Sequence, residues 1–150
     1  MYRLFFILLM MISSFDSIYS QNRTIKGLVI DEGNFETILE VEIIINDSIN
    51  VGKSGLDGRF QFETPLKDFK LKIMAPGWED AELEISEGCN NIELIMMLDM
   101  IHDFASPKKV DKARRKRYNN IPKLHKEAYD KGIFQSPEAC FSRKFREYSK

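Results

Sequence analysis

Apolar and charged residues alternate along much of the chain between residues 24 and 98. In the segment 69–73, for example, Phe69, Leu71 and Ile73 alternate with two lysines. Apolar side chains at every second position indicate β-strands with one buried face. On this basis, strands are predicted over residues 24–31, 41–45, 51–54, 59–63, 69–73, 79–85 and 92–98.

Turn-forming pairs such as Asp57-Gly58 and Pro76-Gly77 separate these segments, and no helical pattern lies between them. Strands that recur every 8–12 residues or so are typical of sandwiches and barrels rather than alternating strand–helix units. A single sheet would leave its apolar face in water, so we expect a second sheet to cover it. The sequence therefore predicts an all-β domain over residues 21–99, a seven-stranded antiparallel Greek-key β-sandwich.

The pattern changes after residue 99. Ser106-Pro107 is typical of a helix start and predicts a helix over residues 108–117. Pro122 is predicted to begin a second helix that Gly132 ends, and Ser136-Pro137 to begin a third. Residues 100–150 are therefore predicted to form a basic helical tail. Short helices are marginal alone, so its aromatic residues should dock on another surface; these are Phe134, Phe141 and Phe145, and Phe141, Phe145 and Tyr148 would share one helical face.

The first 20 residues have the pattern of a secretory signal peptide. Arg3 supplies a positive charge, residues 4–12 form an unbroken apolar run, and residues 13–20 are mostly small or polar up to Ser20. A membrane anchor is the alternative, but a spanning helix needs about 20 apolar residues. We expect export and cleavage before Gln21, with the mature protein in the periplasm or associated with the cell surface or outer membrane.

Charge is divided unevenly along the chain. Residues 21–105 contain 7 Lys/Arg and 17 Asp/Glu, whereas residues 106–150 contain 14 Lys/Arg and 5 Asp/Glu. A nearly neutral chain thus joins an acidic segment to a basic one. Seven of the basic residues form one run: Lys108, Lys109, Lys112, Arg114, Arg115, Lys116 and Arg117. Lys123 lies a little further along the chain.

Four interpretations of this basic run stay open. It could contact nucleic acid, which an exported chain rarely meets, or anionic lipid headgroups, which attract basic residues. It could instead dock on the acidic strands of its own chain or a neighbour, or form a solvated helix face. We expect an envelope protein or an anionic membrane surface as partner, and neither nucleic acid nor a small-molecule substrate.

Cys89 and Cys140 are the two cysteines of the chain, 51 residues apart. In an oxidising compartment two thiols can pair. Spacing alone does not show that they are close, so a disulfide and two separate buried thiols both remain open.

Residues suited to catalysis are sparse. The two histidines, His102 and His125, lie in no arrangement typical of a zinc peptidase. The glycines at positions 52, 55 and 58 precede a strand rather than a helix, unlike a phosphate-binding loop. We expect no catalytic, cofactor-binding or metal-binding residues, and therefore no enzyme.

Three short segments resemble a known family. These are the start of the first strand (residues 25–31, IKGLVID), the hairpin segment 52–60 with Asp57-Gly58-Arg59-Phe60, and the turn 75–78 with Gly77-Trp78. The match covers about residues 23–98 and resembles the carboxypeptidase regulatory-like domain, a transthyretin-like (prealbumin-like) β-sandwich. Such domains occur beside metallocarboxypeptidase catalytic domains and in front of TonB-dependent outer-membrane receptors of the Bacteroidetes type. The resemblance implies a stand-alone secreted form.

The sequence therefore predicts a non-catalytic exported binding or scaffolding module of the cell envelope. One alternative is an accessory subunit of a peptidase or of an outer-membrane receptor system. Another is a carbohydrate-binding sandwich, for which Trp78 and Tyr129 are the candidate stacking residues.

Overall fold

The computed structural model describes residues 22–100 and 105–148, and this part of the chain is mostly β. It contains eight strands and one helix, α1. The strands are β1 (Arg23–Asp31), β2 (Glu42–Ile45), β3 (Ile49–Lys53), β4 (Arg59–Thr64), β5 (Phe69–Met74), β6 (Ala81–Ile85), β7 (Asn91–Met96) and β8 (Ser142–Lys144), and α1 is Pro107–Asp130. The predicted signal peptide and His102 lie outside the described residues.

The strands form two sheets, one of order β4-β1-β7 and one of order β3-β2-β5-β6-β8. The prediction of seven strands is wrong by one, because the tail contributes β8. The prediction of a wholly antiparallel fold is also wrong, because β1 pairs antiparallel with β4 but parallel with β7. Parallel neighbours need a long connection, and here β2 to β6 supply it.

Both sheets contribute to one hydrophobic core. Its residues come from β1, β4 and β7 of the smaller sheet and from β2, β5 and β6 of the larger one. The predicted inward residues of β5 are all buried, with Leu71 and Ile73 fully so and Phe69 6% exposed. Gly27 lets the ring of Phe60 lie across β1, because a Cβ atom there would be 2.2 Å from Cζ of Phe60.

A second hydrophobic cluster explains why β1 and β7 do not alternate strictly. Leu28 and Ile30 of β1 and Ile95 of β7 pack with Ala128 of α1 and with Phe134 after it. The helix thus covers the face of the smaller sheet that points away from the main core. Strands buried on both faces read as continuous apolar runs rather than as alternation, as in Leu28-Val29-Ile30.

Helix α1 spans the segment in which two separate helices were predicted. Its N-cap is Ser106 and Pro107 occupies the first turn, which confirms the predicted start. Pro122 lies inside the helix, so the prediction that it begins a new helix is wrong. Packing of the neighbouring residues Ile121 and Leu124 against the second cluster holds the helix together there, offsetting the cost of an interior proline.

The helix ends as predicted at Gly132. Gly132 has φ +74°, a backbone conformation that suits glycine. Its N–H donates to the Tyr129 carbonyl, and the Ile133 N–H donates to the Ala128 carbonyl. These two bonds form a Schellman motif, in which the hydrophobic residue after glycine packs back on the helix. Ile133 does so within the second cluster.

The predicted third helix is wrong: residues 142–144 form β8, which pairs antiparallel with β6. Cys140 is bonded to Cys89 through a disulfide of 2.02 Å, which brings this segment to the sheet. Burial alternates strictly from Phe141 to Tyr148. The aromatic residues do dock, since Phe141 packs against the main core and the ring of Phe145 lies 5.2 Å from that of Tyr118.

Candidate functional site

The outer face of α1 carries a stripe of lysines. With 3.6 residues per turn, five lysines fall within an arc of about 100° and a length of about 22 Å. The members of this lysine stripe are Lys108, Lys109, Lys112, Lys116 and Lys123, all exposed. None forms an ion pair with any residue in the described part of the chain. The stripe therefore presents a row of cations to solvent.

The last turns of α1 are electrically different. Lys126 lies 2.9 Å from Asp130, and Lys131 lies 2.9 Å from Glu127. These exposed pairs contribute little stability, but they leave no net charge at this end of the helix. The unpaired positive charge is thus confined to the stretch from Lys108 to Lys123.

The arginines of the basic run have a different environment from the lysines. Arg114 is 4% exposed and forms a bidentate ion pair with Glu79, at 2.9 Å from Nε and 2.7 Å from Nη2. Its Nη1 donates to Asp111 at 3.0 Å and to the Arg146 carbonyl at 2.8 Å. Hydrogen bonding to Glu79 raises the pKa of Arg114, which keeps the guanidinium charged.

Two more arginines of the run are also paired. Arg117 contacts Glu32, which precedes the turn after β1, and donates to the Leu98 carbonyl at 2.8 Å. Arg115 contacts Glu147 near the C-terminal end of the described chain. The seven basic residues predicted as one partner-binding set therefore divide by type. The arginines tie α1 to acidic residues of the same chain, and the lysines remain available to a partner.

The helix has no free apolar face with which to enter a membrane. Val110, Ala128 and the residues around them are buried against the body of the protein. Contact through the lysine stripe would therefore be electrostatic and at the surface, unlike that of an amphipathic helix that inserts its apolar side. No helix among residues 22–100 and 105–148 is both long and apolar enough to cross a membrane.

A cavity of about 430 Å³ adjoins the inner side of α1. It lies between the helix, β7 and the segment from Pro137 to Arg143. Most of its wall is apolar, formed by Leu94, Ile95, Ile121, Pro122, Pro137 and Phe141. The polar groups at the wall come from Glu93, Tyr118, His125 and Arg143, together with two charged residues at the surface.

Glu93 and His125 form one end of this cavity. Glu93 is 5% exposed and accepts hydrogen bonds from the backbone N–H groups of Gln135 and Ser136. Nε2 of His125 lies 3.2 Å from the Ser136 carbonyl. Burial lowers the pKa of His125, while the negative charge of Glu93 acts in the opposite direction. The imidazole is therefore neutral at pH 7.

Arg143 forms the other end of the cavity. Its Nη1 donates to the Ile95 carbonyl at 2.7 Å, and Tyr118 donates its hydroxyl hydrogen to the Arg143 carbonyl. Within the described ranges, Nε and Nη2 donate no hydrogen bond and the guanidinium joins no ion pair. Burial lowers the pKa of Arg143, but an arginine keeps its proton in proteins. A positive charge thus lines a mostly apolar space.

Trp78 and Tyr129, the candidate residues for stacking on a carbohydrate, do not line a common groove. Trp78 packs against the main core and lines a polar groove of about 980 Å³ beside Arg114, whereas Tyr129 is absent from that groove's wall. Over the described residues, no group of three or more His, Cys, Asp or Glu side chains is placed to hold a metal ion.

Sequence reasoning missed the acidic partners and the cavity. Glu93 falls at a solvent-facing position of the predicted strand 92–98, yet it is 5% exposed. Glu79 is in phase with the inward residues Ala81 and Leu83, and it is 6% exposed, but a buried carboxylate was not expected there. Glu93 had one available indication, since it is flanked by the apolar run that continues through Ile95 to Met97. Arg143 was hidden in a segment predicted to be helical.

No protein-family model matches the chain, and no curated protein is significantly similar to it.

Proposed function

We propose that this chain is a non-catalytic, exported binding module of the cell envelope that uses the lysine stripe to engage an anionic partner surface. One observation carries the proposal: five exposed lysines lie on one face of a helix whose arginines are already paired within the chain. The arginines hold the helix in a fixed position, while the lysines on its outer face stay free to contact a partner.

The anchoring of α1 supports a scaffolding role. The Arg114–Glu79 and Arg117–Glu32 pairs hold the helix to the segments just before β6 and just after β1. The second hydrophobic cluster holds its C-terminal half. A row of lysines on a fixed helix loses less entropy on binding than one on a mobile tail. The partner is a protein of the envelope with an acidic face or an anionic membrane surface.

We further propose that the two sheets form a sandwich of the prealbumin type, like the carboxypeptidase regulatory-like domain. The shared core of β1, β4 and β7 with β2, β5 and β6 supports this arrangement. Methyl–methyl nuclear Overhauser contacts between core residues of the two sheets would test it. A lack of such contacts would rule out the sandwich without affecting the lysine stripe.

Export is tested by sequencing the N-terminus of the protein recovered from the cell envelope. We expect it to begin at Gln21. Recovery of an uncleaved chain from the cytoplasm would contradict the proposed location.

The binding role is tested with a triple variant, Lys108→Gln, Lys112→Gln and Lys116→Gln. Glutamine has a helix propensity close to that of lysine, so the helix should persist. The matched control replaces three exposed lysines elsewhere by glutamine: Lys26, Lys53 and Lys67. Both triples change the net charge equally. Lys53 and Lys67 of the control pair with Glu42 and Glu87, but exposed pairs of this kind contribute little stability, so the main difference between the triples is the position of the charges.

Two assays separate the two kinds of partner. Co-sedimentation with vesicles rich in phosphatidylglycerol measures membrane contact, to which each lysine contributes about 1 kcal/mol. Chemical cross-linking in envelope extracts measures protein contact. In at least one assay, binding should fall for the stripe triple and not for the control, and should weaken with salt. Equal binding by both triples in both assays would refute the proposal.

A metal analysis and a peptidase assay on the same protein test the alternative of a peptidase-related role. One equivalent of bound zinc, together with peptidase turnover that is lost in His125→Ala, would show that the protein is an enzyme and not a non-catalytic binding module.

A further inference from the structure

We propose that the cavity between α1, β7 and the Pro137–Arg143 segment binds a small monocarboxylate with an apolar body, of the size of a medium-chain fatty acid. The guanidinium of Arg143 would receive the carboxylate, and the apolar wall would cover the chain. This inference is independent of the lysine stripe, which lies on the opposite face of α1.

The unfilled donors of Arg143 carry the argument. Nη1 is engaged by the Ile95 carbonyl, which orients the guanidinium plane. The opposite edge, Nε with Nη2, has no hydrogen-bond partner in the part of the chain that the structure describes. That edge presents two parallel donors, the geometry that binds both oxygens of a carboxylate. Neither atom is among the buried polar atoms that lack a partner, so this edge is open to a ligand that enters the cavity.

The volume and lining of the cavity indicate the size and polarity of the ligand beyond its carboxylate. Its volume of about 430 Å³ falls in the range of small-molecule sites. The wall beyond Arg143 is built from side chains such as Ile121, Pro122 and Phe141. These surfaces offer no hydrogen bonds, so they favour an alkyl chain over a sugar or a nucleotide.

The remaining polar groups favour a single negative charge. Glu93 and Glu138 also line the cavity, and they would repel a ligand with two or more charges more strongly than one with a single charge. The oxygens of Glu93 already accept two backbone N–H groups, so Glu93 does not compete for Arg143. His125 is neutral, and the other cation at the wall, Lys126, is exposed and already paired with Asp130.

Calorimetric titration of the purified protein with octanoate and with 1-octanol tests the proposal. The two probes share an alkyl chain, and only octanoate carries the charge. We expect octanoate to bind at one site and more tightly than 1-octanol by about ten-fold or more, the effect of a hydrogen bond to a charged group. Equal affinity for the two probes, or no saturable octanoate binding, would overturn the proposal.

Variants then locate the site. Arg143→Met should weaken octanoate binding by about ten-fold or more while leaving 1-octanol binding nearly unchanged. The control, Arg146→Met, removes an arginine that is absent from the cavity wall and should change neither. Ala139 is exposed and lines the cavity, so Ala139→Trp should fill it and reduce binding of both probes.

These outcomes remain decisive if Arg143→Met does not fold. Circular dichroism shows whether each variant is folded, and the comparison of probes on the unmodified protein needs no variant. If Ala139→Trp is folded and binds octanoate as tightly as the unmodified protein, the cavity is not the site. A short apolar peptide with a free C-terminus, compared with its amidated form, is the last arm. Carboxylate-dependent binding of that peptide without octanoate binding would refute a fatty-acid-like ligand.

Discussion

Replacing Arg114 by methionine should destabilise the protein more than any neighbouring change on α1. Methionine keeps an unbranched side chain of high helix propensity, so the backbone is little affected. The loss is electrostatic, because Glu79 and Asp111 lose the guanidinium that lies 2.7 and 3.0 Å from them. Glu79 is 6% exposed and Asp111 7%, so water replaces that partner only in part, from the groove that Glu79 and Arg114 line.

The magnitude follows from burial. Removing one partner of a buried ion pair costs about 3–5 kcal/mol. For a chain of this size, each kcal/mol lowers the unfolding temperature by about 2–4 °C, which gives a decrease of about 6–20 °C. The loss of the contact between the guanidinium and the Tyr148 ring, 3.8 Å from its centroid, adds to this effect.

Thermal unfolding followed by circular dichroism measures the change, and Arg115→Met is the matched control. Arg115 is adjacent on the helix, but its side chain is 50% exposed and pairs with Glu147 at the surface. Exposed pairs contribute about 1 kcal/mol or less. A double-mutant cycle with Glu79→Gln should show coupling above about 1 kcal/mol. If Arg114→Met is as mild as Arg115→Met, or the coupling is near zero, then the pair does not anchor the helix.

Three further predictions concern the body of the protein. Replacing both cysteines of the Cys89–Cys140 disulfide by serine should lower the free energy of unfolding by about 4 kcal/mol, from the 51-residue separation, and urea denaturation measures this; an unchanged midpoint would refute a stabilising role. Gly27→Ala should cost about 1–3 kcal/mol or more, because the new methyl group would overlap Phe60, whereas Gly33→Ala, in open surroundings, should cost far less in the same assay. Burial holds the pKa of His125 below the 6.5 of an exposed histidine, so the unfolded chain binds that proton more readily. Stability should therefore be greatest above pH 6.5 and decrease as the pH falls toward the lower folded-state pKa. His125→Asn should flatten this pH dependence between pH 6.5 and the folded-state pKa, and an unaltered slope would show that other groups cause it.

The strands were the most predictable part of the molecule. Period-two patterns such as that of Phe69, Leu71 and Ile73 reflect one buried face, and the structure buries those residues. The helix start at Ser106-Pro107 and its end at Gly132 were predictable as well, because capping depends on local backbone geometry.

The features that were predicted wrongly depend on contacts between segments that are distant in the sequence. β1 pairs with β7, about 65 positions away, and is covered by α1, about 100 positions away. No local pattern records either contact. Pro122 indicated a helix boundary, but packing of α1 overrode that local preference. The spacing of Phe141 and Phe145 suited a helix, and pairing with β6 made it a strand instead.

The candidate site was predictable only in part. The concentration of basic residues was evident, but the division between paired arginines and free lysines was not, because Glu32 and Glu79 lie far from α1 in sequence. The cavity could not be predicted, since its wall combines β7, α1 and the Pro137–Arg143 segment.

The pairing of β8 with β6 gives the disulfide a consequence beyond rigidity. β8 has three residues, and Cys140 lies two positions before it, so the covalent link keeps a very short strand at high local concentration beside β6. Without the link, β8 would detach readily and uncover the backbone donors and acceptors of β6, a template for strand addition from another molecule. Reduction of this single bond would then add β6 to the edge strands of the two sheets and so favour self-association.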